Sequence, residues 1–369
     1  MPPGSAVRVA IVGGGQLGRM LVQAGEQLGV ACVTLDPAAD SPAAQVGPSI
    51  VGAYDDATAL ATLAEGADVV TYEFENVPVD AMRALAGPPV LPPPAALEAA
   101  QDRIAEKTLF TEVGLPVPTF AAVDDAASLT IAVEAVGLPA VLKSRRFGYD
   151  GKGQAVLRSA ELLEDAWRAV GEVPSILEAF VAFDRELSIV AVRATDGELR
   201  CYPLIENHHR EGILRTSYAP APDLTHELQV AAEAHARAVA ERLGYVGVFA
   251  IELFQAGGTL LGNEMAPRVH NSGHWTIEGA ETSQFENHLR AVCGLPLGDV
   301  GVRGHVAMVN VIGQEPDAAA ILAIPGTHLH SYGKQARPGR KLGHVTLLAD
   351  DPETLRARVL QVYGHLTDA

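Results

Sequence analysis

The sequence is short of cysteine, of lysine, of positive charge as a whole and of long apolar runs, and each shortage removes a class of function. Its three cysteines, Cys32, Cys201 and Cys293, are an odd number, lie far apart and form no C-x-x-C pair. A disulfide scaffold or zinc ribbon is therefore not expected. No run approaches the roughly 20 apolar residues of a membrane-spanning helix. Met1 to Val12 leads straight into Gly13-Gly14-Gly15, without the long apolar region of a secretory signal. The expectation is a soluble, cytoplasmic protein with no membrane partner. The 369 residues carry 45 acidic against 27 basic side chains, a formal charge of -18. Sequence-independent nucleic-acid binding and adhesion to anionic lipid both need a broad basic face, so neither is expected. Anionic small molecules are not excluded. Only five of the basic residues are lysines, Lys107, Lys143, Lys152, Lys334 and Lys341, so each one invites a local reason.

What is present is an ordinary globular balance, 48% hydrophobic and 20% charged, and at about 150 residues per domain the length suggests two or three domains. Residues 7–12 are a short β-branched run ending in glycines, and Leu17, Met20, Leu21, Ala24 and Leu28 then recur at helical spacing. That reads as strand, tight turn, helix. Strands at 31–35 and 68–74 flank a helical stretch near 58–65, which implies a parallel sheet covered on both faces. Prolines 88, 89 and 92–94 break the pattern ahead of a helix from about 95 to 113. Strands at 140–144 and 154–157 then flank a glycine-rich loop, and strands at 186–194 and 199–205 are joined by Asp196-Gly197. A helix at 224–243 precedes a hairpin of 246–254 and 259–264 turned by Gly257-Gly258. Hairpins predict a mainly antiparallel sheet. The tail carries strands at 306–312 and 345–348 and a helix over 352–365.

Gly13 to Gly18 satisfies G-x-G-x-x-G, follows a strand and opens a helix, with Asp36 in the place of a ribose-binding acid. A helix N-terminus attracts any anion, so the turn suits NAD or FAD, another phosphate, or no ligand. Thr71 to Asn76 ends a strand at the same sheet edge, where its acids and amide fit either a small polar substrate or ordinary strand-end solvation. Lys143 to Gln154 places three glycines and four basic residues between two strands. Such a loop suits a polyphosphate without being a Walker loop, and a solvated hairpin with incidental charge is the alternative. The strand edge at 176–181 offers backbone groups to a purine and Glu178 to ribose hydroxyls. Glu252 and Glu264 have their midpoint at Gly258, so they should be near cross-strand neighbours. Like charges in apolar strands call for a cation, and oxygen ligands beside phosphate point to Mg2+. His270 and His274 are separated by Ser272-Gly273, which argues against a helix and a zinc site. His328 and His330 form an i, i+2 pair on a strand without further ligands.

These motifs resemble the ATP-grasp enzymes, and within them the 5-(carboxyamino)imidazole ribonucleotide synthetase family of purine biosynthesis. The resemblance covers nearly the whole chain. It rests on residues 13–18, on Tyr-Glu-Phe-Glu-Asn-Val at 72–77, Asp-Arg at 102–103, the loop at 143–154 and Gly-Ile-Leu-Arg-Thr-Ser at 212–217. It rests further on Asn-Glu-Met-Ala-Pro-Arg-Val-His-Asn-Ser-Gly-His at 263–274, and on Tyr-Gly-Lys with Arg-Pro-Gly-Arg-Lys-Leu-Gly-His within 332–344. It implies an α/β plus α+β architecture: a Rossmann-like substrate-binding domain over 1–95, an antiparallel ATP-grasp domain over 96–298 and a small C-terminal domain over 299–369. It implies a ligase, a homodimer in such families, that uses ATP, Mg2+ and bicarbonate to carboxylate the exocyclic amine of aminoimidazole ribonucleotide through carboxyphosphate.

By the same resemblance, Arg103 and Lys143 hold ATP phosphates and Gly148, Tyr149, Asp150, Gly151, Lys152, Gly153 and Gln154 close over them. Glu178, Ala179, Phe180 and Val181 cradle adenine, Glu186 takes the ribose and His209 adds a nucleotide contact. Asn263 accompanies Glu252 and Glu264 at Mg2+. Tyr149, Asp150, Arg268 and His270 face bicarbonate and the amine. Lys334, Arg340 and Lys341 take the ribonucleotide phosphate, while Gln16, Leu17, Glu73, Asn76 and Asn271 complete the substrate site. Any of Tyr149, Asp150 and His270 has the chemistry to move the substrate proton. Two other classes compete with the ligase: an NAD(P)-dependent oxidoreductase, marked by NADH binding, and a catalytically silent nucleotide sensor, marked by binding without ADP release.

Overall fold

The computed structural model describes residues 7–148 and 153–366. Strand β1 (Arg8–Val12) feeds helix α1 (Gln16–Leu28), β2 (Ala31–Asp36), β3 (Ser49–Val51), helix α2 (Ala57–Ala64) and β4 (Val69–Tyr72). Their order is β3-β2-β1-β4, all parallel, as the alternation of strands and helices predicts. The C-terminal ends of β1, β2 and β4 therefore deliver Gly13, Asp36 and Glu73 to one edge.

Helix α3 (Val79–Ala84) leads to a correction. The single helix expected from about 95 to 113 is two, α4 (Pro94–Gln101) and α5 (Arg103–Glu112). Asp102 sits extended between them and its carboxylate accepts hydrogen bonds from the Ile104 and Ala105 N–H groups. It acts as an N-cap, which restarts the helix in a new direction.

Strand β5 (Phe120–Val123), helix α6 (Ala126–Val136), β6 (Ala140–Ser144), β7 (Gln154–Leu157), helix α7 (Leu163–Ala169) and β8 (Ser175–Ala179) make a small lobe. Its antiparallel sheet has the order β5-β8-β6-β7 over a core of its own. Then come β9 (Arg185–Arg193), β10 (Leu199–Cys201), β11 (Ile205–Arg210), β12 (Ile213–Ala219), helix α8 (His226–Leu243), β13 (Gly247–Ala256) and β14 (Thr259–Ala266). The one strand expected at 199–205 is thus β10 and the start of β11. Tyr202, fully buried, turns the chain between them.

Helices α9 (Thr276–Gly279) and α10 (Gln284–Val292) precede β15 (His305–Ile312), α11 (Ala318–Leu322), β16 (Thr327–Ser331), β17 (Lys341–Ala349) and α12 (Pro352–Gly364). One nine-stranded antiparallel sheet runs β14-β13-β9-β11-β12-β15-β17-β16, with β10 on β9. Strands on both sides of residue 298 share this sheet through β12 and β15. One buried cluster joins Ile11 and Leu21 of the first region to Phe285, Leu289, Trp275 and Met308.

Candidate active site

The site begins with a register detail in the β13–β14 hairpin. Counting outward from Gly257-Gly258, Phe254 pairs with Leu261 and Leu253 with Gly262, so an unbroken ladder would set Glu252 opposite Asn263. A β-bulge shifts the register there and Glu252 pairs with Glu264 instead. The bulge leaves Asn263 as the extra residue, a device that re-aims side chains beside functional sites. The expected pairing of the two carboxylates therefore holds because of the bulge.

Helix α5 supplies what holds that bulge. β14 is an edge strand, and an edge leaves backbone groups unpaired. Arg103, Glu106 and Lys107 lie at i, i+3 and i+4, one face of the helix. Arg103 Nη1 donates to Glu264 Oε2 at 2.8 Å, the Glu106 carboxylate accepts the Met265 N–H at 2.6 Å, and Lys107 Nζ donates to the carbonyls of Gly262 at 2.9 Å and Asn263 at 2.6 Å. Glu106 and Lys107 thus pair backbone groups that another strand would have paired, while Arg103 holds the Glu264 side chain. Lys107 is fully buried, and its ammonium is also 3.5 Å from Glu178 Oε2. Lys143, on β6 of the small lobe, reaches the same oxygen at 3.0 Å. Glu178 is therefore the anion between two lysines, and burial, which would raise its pKa, is outweighed by their charges, so it is lowered.

Charges in this cluster are strongly tuned. Burial raises the Glu252 pKa and neighbouring Glu264 adds to it, whereas Arg103 overcomes the burial of Glu264 and lowers its pKa. Burial, then the charges of Arg268 and Lys341, push the His270 imidazole down to about 3, so the ring is neutral near pH 7. His270 Nε2 stands 3.3 Å from Glu252 Oε1. His209 Nδ1 is 2.6 Å from Glu186 Oε2. Burial alone would lower the His209 pKa, but that hydrogen bond and the charge of Glu252 raise it. The residues suit a hard cation: two facing carboxylates flank Asn263, whose Oδ1 is buried and without a hydrogen-bond partner. Among the described residues no group of three or more His, Cys, Asp or Glu could hold a metal, so the two carboxylates and Asn263 would share a cation with phosphate oxygens and water.

Arg103, Lys143, Glu178, Glu186, His209, Glu252, Asn263, Glu264 and His270 thus form one linked cluster. Of the loop that resembles a nucleotide cover, Tyr149, Asp150, Gly151 and Lys152 lie outside the described residues. Its flanks are anchored: Arg145 Nε and Arg146 Nε lie 2.7 and 3.4 Å from the two carboxylate oxygens of Asp102, the N-cap of α5. Gly148 is half-buried, and Gln154 opens β7 opposite Lys143. The N–H groups of Ala179 and Phe180 bond to Thr119 O and Pro139 O. Phe180 is 41% exposed, with the Arg158 guanidinium 6.0 Å from its ring centre. Val181 follows it, half-buried.

The substrate-side residues lie partly past the parallel strands, as Gln16, Glu73 and Asn76 do, and partly along the nine-stranded sheet, where Asn271 meets β15 and Lys341 opens β17. Arg268 Nη2 pairs with Glu75 Oε2 at 2.6 Å, and Asn271 exchanges two amide hydrogen bonds with Asn310. Lys334 Nζ bonds to Gln16 Oε1, and burial, with Arg340 nearby, lowers its pKa to about 8. Arg340 is half-buried and donates to Gln335 O, and the charge of Lys341 acts on Glu252 and His270. Asn76 is half-buried, whereas the Leu17 side chain packs into the core and leaves only its backbone to the parallel-sheet edge.

The glycine turn differs from a dinucleotide site. Gly15 N–H donates to Glu73 Oε1 at 2.7 Å and Gly14 N–H to Asp36 Oδ2 at 2.9 Å. Asp36 further accepts from the Ala38 N–H and the Tyr54 hydroxyl. Glycine is required because a Cβ at Gly13 or Gly15 would lie 2.7 or 2.8 Å from the Glu73 side chain, and Gly13 has φ of +109°. The anion at the α1 N-terminus is the protein's own carboxylate, and the acid expected to hold a ribose is already spent. The dinucleotide reading of this motif fails on those bonds.

Sequence reasoning noted Lys107 only as a lysine near Arg103, and missed Glu106. The i, i+3, i+4 spacing from Arg103 was the available signal, yet nothing local reveals that an edge strand needs them.

Comparison with known proteins finds matches along most of the chain. The ribonucleotide synthetase preATP-grasp domain family matches residues 6–101, the ATP-grasp domain family 108–285, and the phosphoribosylaminoimidazole carboxylase C-terminal domain family 306–358. An N5-carboxyaminoimidazole ribonucleotide synthase of Pseudomonas aeruginosa is 51% identical over 357 residues, 96% of this chain and 98% of the relative. The crystal structure of N5-carboxyaminoimidazole ribonucleotide synthetase from Thermus thermophilus superposes with TM-score 0.94 at 54% identity, covering 98% of this chain and 99% of that one. The Aspergillus clavatus enzyme in complex with ADP and 5-aminoimidazole ribonucleotide superposes with TM-score 0.91 at 31% identity, over 97% and 98% of the two chains. With such identity along nearly its full length, the chain belongs to the N5-carboxyaminoimidazole ribonucleotide synthase family.

Proposed function

We propose that the protein uses ATP and bicarbonate to carboxylate the exocyclic amine of 5-aminoimidazole ribonucleotide, giving the N5-carboxyamino product, ADP and phosphate in purine biosynthesis. The observation that carries this reading is the facing pair Glu252 and Glu264 with the unspent Asn263 oxygen, near enough to Lys143 for its charge to act on Glu264. A polyanion with its divalent cation is what that mixture of oxygens and cations can hold. Glu252, Glu264 and Asn263 would hold Mg2+, which neutralises phosphate charge during transfer.

Bicarbonate attacks the γ-phosphorus, forming carboxyphosphate, and Arg103 and Lys143 stabilise the charge on the phosphate oxygens. Residues 148–154 close over the nucleotide and keep water from the acyl phosphate. Glu178 orients Lys143, while residues 179–181 border adenine and Glu186 with His209 meets the ribose. Carboxyphosphate then breaks down and delivers CO2 to the amine, with Tyr149, Asp150, Arg268 and His270 around the reacting carbon. Lys334, Arg340 and Lys341 take the ribonucleotide phosphate, and Gln16, Glu73, Asn76 and Asn271 with the Leu17 backbone frame its other end. The reading includes a homodimer, carried by the family resemblance, a cytoplasmic location, and a three-part division at 95 and 298 whose first boundary follows the proline cluster at 88–94.

Purified protein given ATP, Mg2+, bicarbonate and aminoimidazole ribonucleotide should release ADP and phosphate, and omission of the ribonucleotide should suppress steady product formation. No ADP release with all four present would refute the reading.

A further inference from the structure

A chain of buried polar groups runs from the middle of the nine-stranded sheet to His270. Ser217 Oγ on β12 donates to Asn207 Oδ1 at 2.7 Å, and Asn207 Nδ2 on β11 donates to Ser188 Oγ at 2.9 Å. Ser188 Oγ on β9 donates to Ser272 Oγ at 2.8 Å, and Ser272 Oγ lies 2.9 Å from His270 Nδ1. Ser188, Ser217 and Ser272 are fully buried and Asn207 is 5% exposed. Polar groups at such depth are retained when each is satisfied, since an unpaired one costs about 1–3 kcal/mol. Here each hydroxyl uses its proton on the next acceptor, so the only proton left at the end of the chain is that of Ser272, aimed at the imidazole.

A second contact settles the direction independently. The backbone N–H of Ser272 also points at His270 Nδ1, at 3.4 Å, and a backbone N–H can only donate. Nδ1 therefore accepts from both the hydroxyl and the amide and carries no proton, so the ring proton sits on Nε2, 3.3 Å from Glu252 Oε1. The His270 backbone is clamped separately by Gln284, which accepts from its N–H at 2.9 Å and donates to its carbonyl at 2.6 Å. Ring placement and ring tautomer thus have different supports.

We infer that Ser272, Ser188 and Asn207 are positioning residues that lock His270 in its Nε2–H tautomer, so that it serves the reaction as a hydrogen-bond donor and does not accept the substrate proton. The consequence for catalysis rests on the proposed reaction; the tautomer does not. A neutral Nε2–H can bind an oxygen of bicarbonate or carboxyphosphate, whereas it has no lone pair to receive the proton that the amine sheds when it takes up CO2. That proton must go to another acceptor.

The test uses the full chain labelled with 15N-histidine, the His270 signal being identified by its loss in His270→Gln. Nδ1 should resonate as an unprotonated nitrogen and Nε2 as a protonated one. Ser272→Ala should move both signals toward the averaged values of a free ring and lower kcat about tenfold, the worth of one hydrogen bond, with the KM for ATP unchanged. Ser188→Ala, one link further away, should act in the same direction to a smaller extent. A protonated Nδ1 in the unaltered protein would overturn the inference, as would unchanged shifts and kcat in both serine variants. If the unaltered protein failed to turn over the ribonucleotide, the proposed reaction would fall while the nitrogen shifts would still decide the tautomer.

Discussion

The glycine turn at 13–18 and the bulged hairpin at 262–264 each bring acidic side chains to a sheet edge, and they differ in where the polar atoms are spent. In the turn, Glu73 and Asp36 consume the Gly15 and Gly14 N–H groups, and Tyr54 and Ala38 use further capacity of Asp36. In the hairpin, Glu252 faces Glu264 and the Asn263 Oδ1 has no partner. Asp36, the acid that the motif offers to a ribose, is bonded within the turn, while an undistinguished hairpin keeps donor atoms in reserve. What marks a site is unspent bonding capacity held in place by spent capacity next door.

The hairpin side of this contrast breaks most visibly at Glu264. Glu264→Gln keeps an acceptor for Arg103 but removes a charge, and turnover should fall about two to three orders of magnitude, measured as ADP release at saturating ribonucleotide. Near-normal turnover would show that the pair is not the metal site. Next in size is Lys107→Met, which leaves the Gly262 and Asn263 carbonyls without their buried donor. Each orphaned group costs about 1–3 kcal/mol, so the bulge should relax and the affinity for Mn2+ with ADP, followed by electron paramagnetic resonance, should fall about tenfold. Lys107→Gln, which retains a donor, should lose less. An unchanged Mn2+ affinity in folded Lys107→Met would mean that the bulge holds itself.

How much of this was legible in the sequence follows the same division. Strand, turn and helix at 8–28 were plain because the periodicity is local, and Gly257-Gly258 announced its hairpin. The two helices at 94–112 merged in the sequence reading because Asp102 breaks them by capping, and a single Asp within a helical pattern carries little signal. The strands at 120–123 and 213–219 went unread for want of alternation strong enough to stand out. Symmetry about Gly258 pairs the two carboxylates in the sequence, but only the bulge at Asn263 makes that pairing true. What Glu106, Lys107 and the Ser188–Asn207–Ser272 chain do is not written in their local sequence. Their meaning lies in neighbours distant along the chain, known only once β14 is seen to be an edge and β9, β11 and β12 are seen to adjoin.

The smallest effect belongs to the turn, and it is the sharpest check on the contrast. Tyr54 is half-buried and its hydroxyl donates to Asp36 Oδ2 at 2.8 Å. If Asp36 is spent within the turn, Tyr54→Phe removes one of three donors to a carboxylate that remains bonded to the Gly14 and Ala38 N–H groups. Stability should drop by about 1 kcal/mol, read as a lower midpoint in urea with an unchanged slope, while kcat and the KM for the ribonucleotide move less than about twofold, as for a residue outside the site. A large rise in that KM with little loss of stability would place Asp36 in the substrate site. Asp36 would then hold ligand as the hairpin acids are proposed to do, and the rule drawn from their difference would not stand.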